Sequence, residues 1–113
     1  MNAQKDAVVF FAYITTPNIE EARQLGRHLV EKKLAACVNI FSSMESIYPW
    51  EGQIEHSPEV LLIAKTDMAL KEALTQEVLQ QHSYDCPCIL FLRAEAGNPG
   101  YLEWLRGNLA RSL

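Results

Sequence analysis

Apolar positions along the chain alternate between strand-like runs and helical spacing. Val8 to Thr15 is rich in β-branched and aromatic residues and stops at Pro17-Asn18, which predicts a buried strand. Asn18 followed by Glu21 has the form of an N-cap with its capping-box partner. Ile19, Ala22, Leu25, Leu29 and Val30 then recur at helical spacing, so a helix is expected to about Lys33. Lys32 and Lys33 fall in its last turn, at the negative end of the helix dipole. "LAACVNIF" predicts a second strand, and "SSMESIYPWEGQIEHSPE" a looser segment after it. A third strand is expected from Val60 to Thr66. Thr66 or Asp67 caps a second helix to about His82, with Leu70, Leu74 and Val78 on one stripe. Ile89 to Ala94 predicts a fourth strand, with Leu90, Leu92 and Cys88 on its expected core face. After the turn signal "GNPG", Tyr101 to Leu109 has the look of a short helix.

Strand, helix, strand, strand, helix, strand is the order of a ferredoxin-like α+β sandwich, here with a short C-terminal helix. Thr15 to Cys37 and Thr66 to Cys88 are equal intervals, each spanning one helix, which supports the same topology. No linker or low-complexity stretch divides the chain, and its 113 residues suit one domain, 1–113. In "SIYPWEG", Ser46, Tyr48, Trp50 and Gly52 occupy every second position and share one face of an extended chain. Pro49 between them requires an edge or bulged strand. Two rings on an exposed edge are covered either by the protein's own sheet or by another subunit, and a domain this small favours the subunit.

Composition narrows the function classes. Apolar residues make up 49% and charged residues 21%, enough for both a core and a solvated surface. A formal net charge of -4, with five lysines and five arginines scattered, argues against nucleic acid as a partner. No stretch is long and apolar enough to cross a membrane. The N-terminal apolar run has only Lys5 as a cation before it and contains Tyr13, so it reads as strand and not as signal peptide. Three cysteines, Cys37, Cys86 and Cys88, are an odd number and suggest reduced thiols in the cytoplasm.

"QQHSYDCPCILFL" concentrates His82, Cys86 and Cys88. Imidazole and thiolate suit Cu(I) and Zn(II). Pro87 biases Cys86 toward an extended backbone, which sets Cys86 and Cys88 on one side, and a turn through Ser83-Tyr84-Asp85 would bring His82 near. The competing reading makes the cysteines small core and turn residues and gives His82 to the carbonyls at its helix end. His28, mid-helix, and His56, in a polar loop, read as solvated side chains. No nucleophile–base–orienter set and no Gly-rich phosphate loop is present, so an enzyme is not expected.

"KLAACVNI", "SIYPWEG", "EVLLIAKT", "HSYDCP" and "GNPGYLEWL" together, in this order, resemble the CutA family, the divalent-cation tolerance proteins. "SIYPWEG" fits the family's S-x-Y-x-W-x-G. The resemblance implies a ferredoxin-like fold, a tight homotrimer like that of PII signalling proteins, and a link to metal-ion homeostasis, copper above all. It implies that the second and third strands reach neighbouring subunits, with inter-subunit clefts lined by Tyr48, Trp50, Glu59, Lys65, Tyr84 and Trp104. The chain departs from copper-associated bacterial members at their ligands. Ile14 stands at their cysteine, and Gln81-His82 replaces a histidine pair. In place of H-P-Y-E-x-P-E the chain has "HSYDCPC", with Ser83, Asp85 and Cys88 as the changes. The expectation is a trimer that binds metal ions, copper favoured, in metal tolerance, with no obligatory cofactor. The alternative is a PII-like sensing or scaffold module that takes a small molecule or anion in the cleft. In that reading Lys65 is an anion ligand, unless it serves an inter-subunit salt bridge to Glu59 or another carboxylate.

Overall fold

The computed structural model describes residues 8–111. Residues 1–7, with Lys5 of the segment read above as strand, and residues 112–113 lie outside the described residues. The elements are β1 (Val9–Thr16), α1 (Ile19–Glu31), β2 (Cys37–Trp50), β3 (Gln53–Asp67), α2 (Lys71–Gln81), β4 (Ile89–Arg93) and α3 (Pro99–Gly107). A single 3-10 turn, Met68–Leu70, leads into α2. The strands form one antiparallel sheet in the order β2-β3-β1-β4. This is the ferredoxin-like α+β arrangement expected from the element order.

Local chemistry accounts for the helix ends. The Asn18 side chain accepts the Glu21 backbone N–H at 2.8 Å, as an N-cap should. The Glu21 carboxylate does not complete a capping box; it accepts the Ser83 N–H at 3.0 Å instead. Asp67 accepts the Leu70 N–H at 3.2 Å and caps the turn before α2. Thr66 is fully buried and does not cap. α1 stops at Glu31, and Lys33 beyond it takes a left-handed φ of 59°. α3 opens at Pro99, two residues before the expected start, because proline loses nothing at a helix's first position.

α1 and α2 cover one sheet face. Ala12, Ile14, Val60, Leu62 and Ala64 meet Ala22, Leu25, Leu29, Leu74 and Val78 there, with Val38, Ile40, Ile89 and Phe91 packed around them. Gly26 lets α1 come close, since a Cβ there would lie 3.0 Å from Val38 Cγ1. On the other face α3 and the turn after it set Leu105 and Leu109 against Val9 and Ala36 and cover only that end.

The rest of that face carries cross-strand rows read from the register. They are Phe41–Leu61–Thr15, Asn39–Ile63–Tyr13–Leu90 and Cys37–Lys65–Phe11–Leu92. Leu90 is 61% exposed, Leu92 52% and Phe41 54%. The core face of β4 is therefore Ile89 and Phe91, opposite the buried Ile14 and Ala12, and not Leu90 and Leu92 as expected. β4 is apolar on both faces, so its pattern does not say which one faces the helices.

The segment expected to be loose is strand. β2 and β3 run on as a hairpin to a two-residue turn, Glu51 (φ 49°) and Gly52 (φ 82°), closed by Trp50 opposite Gln53. Two positive φ values are what a tight hairpin of this twist requires. A register shift between Phe41 and Met44 marks a bulge. Pro49 is tolerated because β2 is an edge strand. The hairpin projects from the body, and the molecule measures 48 × 26 × 22 Å with a radius of gyration of 15.0 Å. A compact chain of this length would have about 13 Å. His56 lies in β3 rather than a loop, and it pairs with Glu45 across the hairpin at 2.8 Å.

Candidate functional site

The segment between α2 and β4 is organised by His82. At the α2 C-terminus its backbone turns extended (φ -77°, ψ 143°) and its ring is buried. Nε2 lies 2.7 Å from the Thr15 carbonyl oxygen, which can only accept, so Nε2 carries the proton and donates. Nδ1 accepts the Tyr84 backbone N–H at 3.0 Å. Glu21 Oε2, 3.4 Å from Nδ1, holds the Ser83 N–H. Both ring nitrogens are thus engaged.

These bonds set His82 apart from Cys86 and Cys88, the thiols expected to share a metal with it. His82 offers no free lone pair to a metal shared with Cys86 and Cys88, because it faces the sheet and ties β1 to the connecting segment. Among the described residues no group of three or more His, Cys, Asp or Glu is placed to hold an ion. Cys86 is exposed and Cys88 half-buried at the entry to β4. Loss of solvation, and then the nearby Glu59 carboxylate, push the Cys88 thiol up from its ordinary range. Cys37, also half-buried, stands opposite Lys65 across the β2–β3 ladder.

The six residues expected to line a cleft fall into two clusters and a tip. In the first cluster Tyr84 OH donates to Glu59 at 2.9 Å. Loss of solvation and then this carboxylate push the Tyr84 phenol far above its usual range, so it stays a donor. Tyr48 OH lies 3.1 Å from Ser57 Oγ on the same side of the hairpin. In the second cluster Lys65 Nζ donates to Tyr101 OH at 3.1 Å and sits 5.2 Å from that ring's centroid. Tyr101 in turn tilts against Trp104, with centroids 5.5 Å apart. Trp50 is 60% exposed at the hairpin tip.

Glu59 and Lys65 are six residues apart on one strand, which separates the clusters by about 20 Å. One subunit therefore does not gather the six residues into one pocket, and it makes no Lys65–Glu59 pair. Tyr101 was missed from sequence; its only signal is that it precedes Trp104 by three helical positions, which puts both on one face of α3. A recess of about 300 Å³ beside Glu59 is lined by Met44, Glu45, Pro58 and Ser42 among others. A larger one, about 540 Å³, runs between α1 and β2 past Arg23, Val30 and Val38 and contains none of the six. His28 is not simply solvated either: its ring is hydrogen-bonded to Glu77, which joins α1 to α2.

The fold and the clusters define the class: a ferredoxin-like α+β protein whose candidate binding groups lie along an open sheet face and a projecting hairpin. The model of the family described as CutA1 divalent ion tolerance protein matches residues 10–108. The chain is 45% identical over 96 residues to "Protein CutA, chloroplastic" of Arabidopsis thaliana, a match covering 85% of this chain and 53% of that protein. The crystal structure of CutA1 from Oryza sativa has a TM-score of 0.91 at 42% identity, covering 93% of this chain and 96% of that one. The periplasmic divalent cation tolerance protein CutA from Archaeoglobus fulgidus gives 0.86 at 42%, covering 88% and 97%. The chain belongs to the CutA1 divalent ion tolerance family. It spans just over half the length of the plant relatives it matches, 53% and 56%.

Proposed function

We propose that the protein serves divalent-cation tolerance as a homotrimer that takes up metal ions, copper favoured, by binding and not by catalysis. The observation that carries the tolerance reading is the family match through residues 10–108. Assembly is supported by the open sheet face, where Phe41, Leu90 and Leu92 stay largely exposed. Covering such a face gains roughly 25 cal/mol per Å² of apolar surface. Ile47 and Ile54, exposed on the opposite face of the hairpin, offer a neighbour a second apolar surface to cover. A projecting hairpin also gives one subunit the reach to carry Tyr48 and Trp50 toward a neighbour's second cluster. Three unpaired thiols support a reducing compartment such as the cytoplasm. Among the described residues no helix is long and apolar enough to cross a membrane.

The test pairs light scattering with calorimetry. The purified protein should have three times its 12.8 kDa chain mass and take up Cu(II) or Zn(II) at a fixed ratio per subunit. Leu90→Asp with Leu92→Asp should lower the mass. A monomeric wild type, or no ion uptake above a buffer control, sinks the reading.

The Lys65–Tyr101–Trp104 cluster favours a second reading, a small anion or small molecule bound against an aromatic wall. Lys65→Ala should then abolish ligand uptake at unchanged mass. Loss of the trimer instead would make Lys65 structural.

A further inference from the structure

We infer that Cys86 and Cys88 form a two-thiolate site for Cu(I) in which His82 takes no part. This rests on the metal-binding reading above and specifies its ligands. His82 is withdrawn by its bonds to Thr15 and Tyr84, so the donors left in "HSYDCPC" are two thiols on either side of Pro87. Proline keeps Cys86 out of the helical region, and both residues lie in the non-helical stretch between α2 and β4. The chain bends at Cys86 and runs without a helical turn through Pro87 to Cys88, so the two alpha-carbons stand at most roughly 7 Å apart.

That spacing decides between two fates of a thiol pair. A disulfide needs beta-carbons about 3.5–4.5 Å apart, so this pair would close on itself only with strain. A metal–thiolate bond of about 2.3 Å puts two sulfurs about 4.6 Å apart across one ion, which side chains leaning inward from that separation can span.

Softness and ligand number then select the ion. Thiolates favour Cu(I), and a set of two is a poor match for Zn(II), which takes four donors in structural sites. Cys86 is exposed and gives entry from solvent, while half-buried Cys88 forms the inner wall. Glu59, fixed by Tyr84 OH at 2.9 Å, lies near Cys88. Each thiol passes its proton to solvent as its S–Cu bond forms; copper enters and stays as Cu(I), so no oxidant or reductant is consumed. Cys37, opposite Lys65, belongs to the far end of the sheet, about 20 Å along β3 from Glu59, and stands outside the site.

The experiment is anaerobic Cu(I) competition against a chromophoric chelator on the reduced full chain. Wild type and Cys37→Ser should each hold one Cu(I) per subunit. Cys86→Ser changes only an exposed residue and should keep the fold. It should weaken Cu(I) binding by more than the roughly 10–100-fold that losing an outer-shell partner costs. X-ray absorption of the loaded protein should show sulfur donors and no nitrogen. Cu(I) binding unchanged in Cys86→Ser/Cys88→Ser, or nitrogen at the copper, overturns this site and leaves the metal reading standing. A wild type that binds none of Cu(I), Cu(II) and Zn(II) overturns both.

Discussion

Replacing Lys33 with glycine should make the protein more stable. Lys33 follows the cap of α1 with φ 59°. Its N–H reaches the Val30 oxygen at 3.0 Å, and the Leu34 N–H reaches the Leu29 oxygen at 2.9 Å. Those two bonds make a Schellman motif, whose left-handed position glycine normally fills. A side chain there costs about 1–2 kcal/mol. Glycine removes that cost but adds about 0.5–1 kcal/mol of freedom to the unfolded chain. The net expectation is a gain of about 0.5–1 kcal/mol. The exposed side chain gives up no bonded partner, and the Lys33 carbonyl still accepts the Ala110 N–H at 2.8 Å. Urea denaturation at one fixed protein concentration should show the midpoint rising by a few tenths of a molar with an unchanged slope. Lys33→Ala keeps the strained φ and serves as the control. A Lys33→Gly midpoint at or below those of the wild type and Lys33→Ala refutes the argument.

Three further outcomes are expected. Gly52 has φ 82° and open space around a would-be Cβ, so Gly52→Ala costs only the backbone strain, about 1–2 kcal/mol. Amide exchange at Trp50 and Gln53 should speed up about 5–30-fold; unchanged exchange would mean the turn is not strained by a side chain. Gly26→Ala gains about 1 kcal/mol of helix propensity but sets its Cβ 3.0 Å from a stiff valine, and overpacking of about 1–3 kcal/mol should win. Adding Val38→Ala should reverse the sign of the Gly26→Ala effect, read by a double-mutant cycle in denaturant. The Glu77 carboxyl is held below its ordinary value chiefly by the hydrogen bond from His28, with Lys32 at 3.2 Å assisting. A depressed carboxyl contributes stability above its unfolded pKa and loses it as pH falls through the folded value, so acid unfolding should be shallower in Glu77→Gln. Identical acid limbs would remove Glu77 from the account.

Much of the architecture was legible because its causes are local. The 3.6-residue spacing of Ala22, Leu25 and Leu29 and the Asn18 cap are visible within one helix length. The alternation of Tyr48 and Trp50 around Pro49 marked an edge strand with rings on one side, and β2 is that edge. The extent of β2 was not legible. The bulge after Phe41 shifts the alternation by one position and, with two serines in it, mimics the end of a strand.

The sequence alone thus determined the order of elements, the fold class, and which residue types cluster near the α2–β4 connection. Tertiary structure alone decided which apolar face of β4 turns inward, that His82 serves Thr15 and Tyr84, and that Glu59 and Lys65 stand in separate clusters. The division has a physical reason. Periodicity and capping act over a few residues, whereas a face or a lone pair is assigned only when a distant strand or carbonyl competes for it.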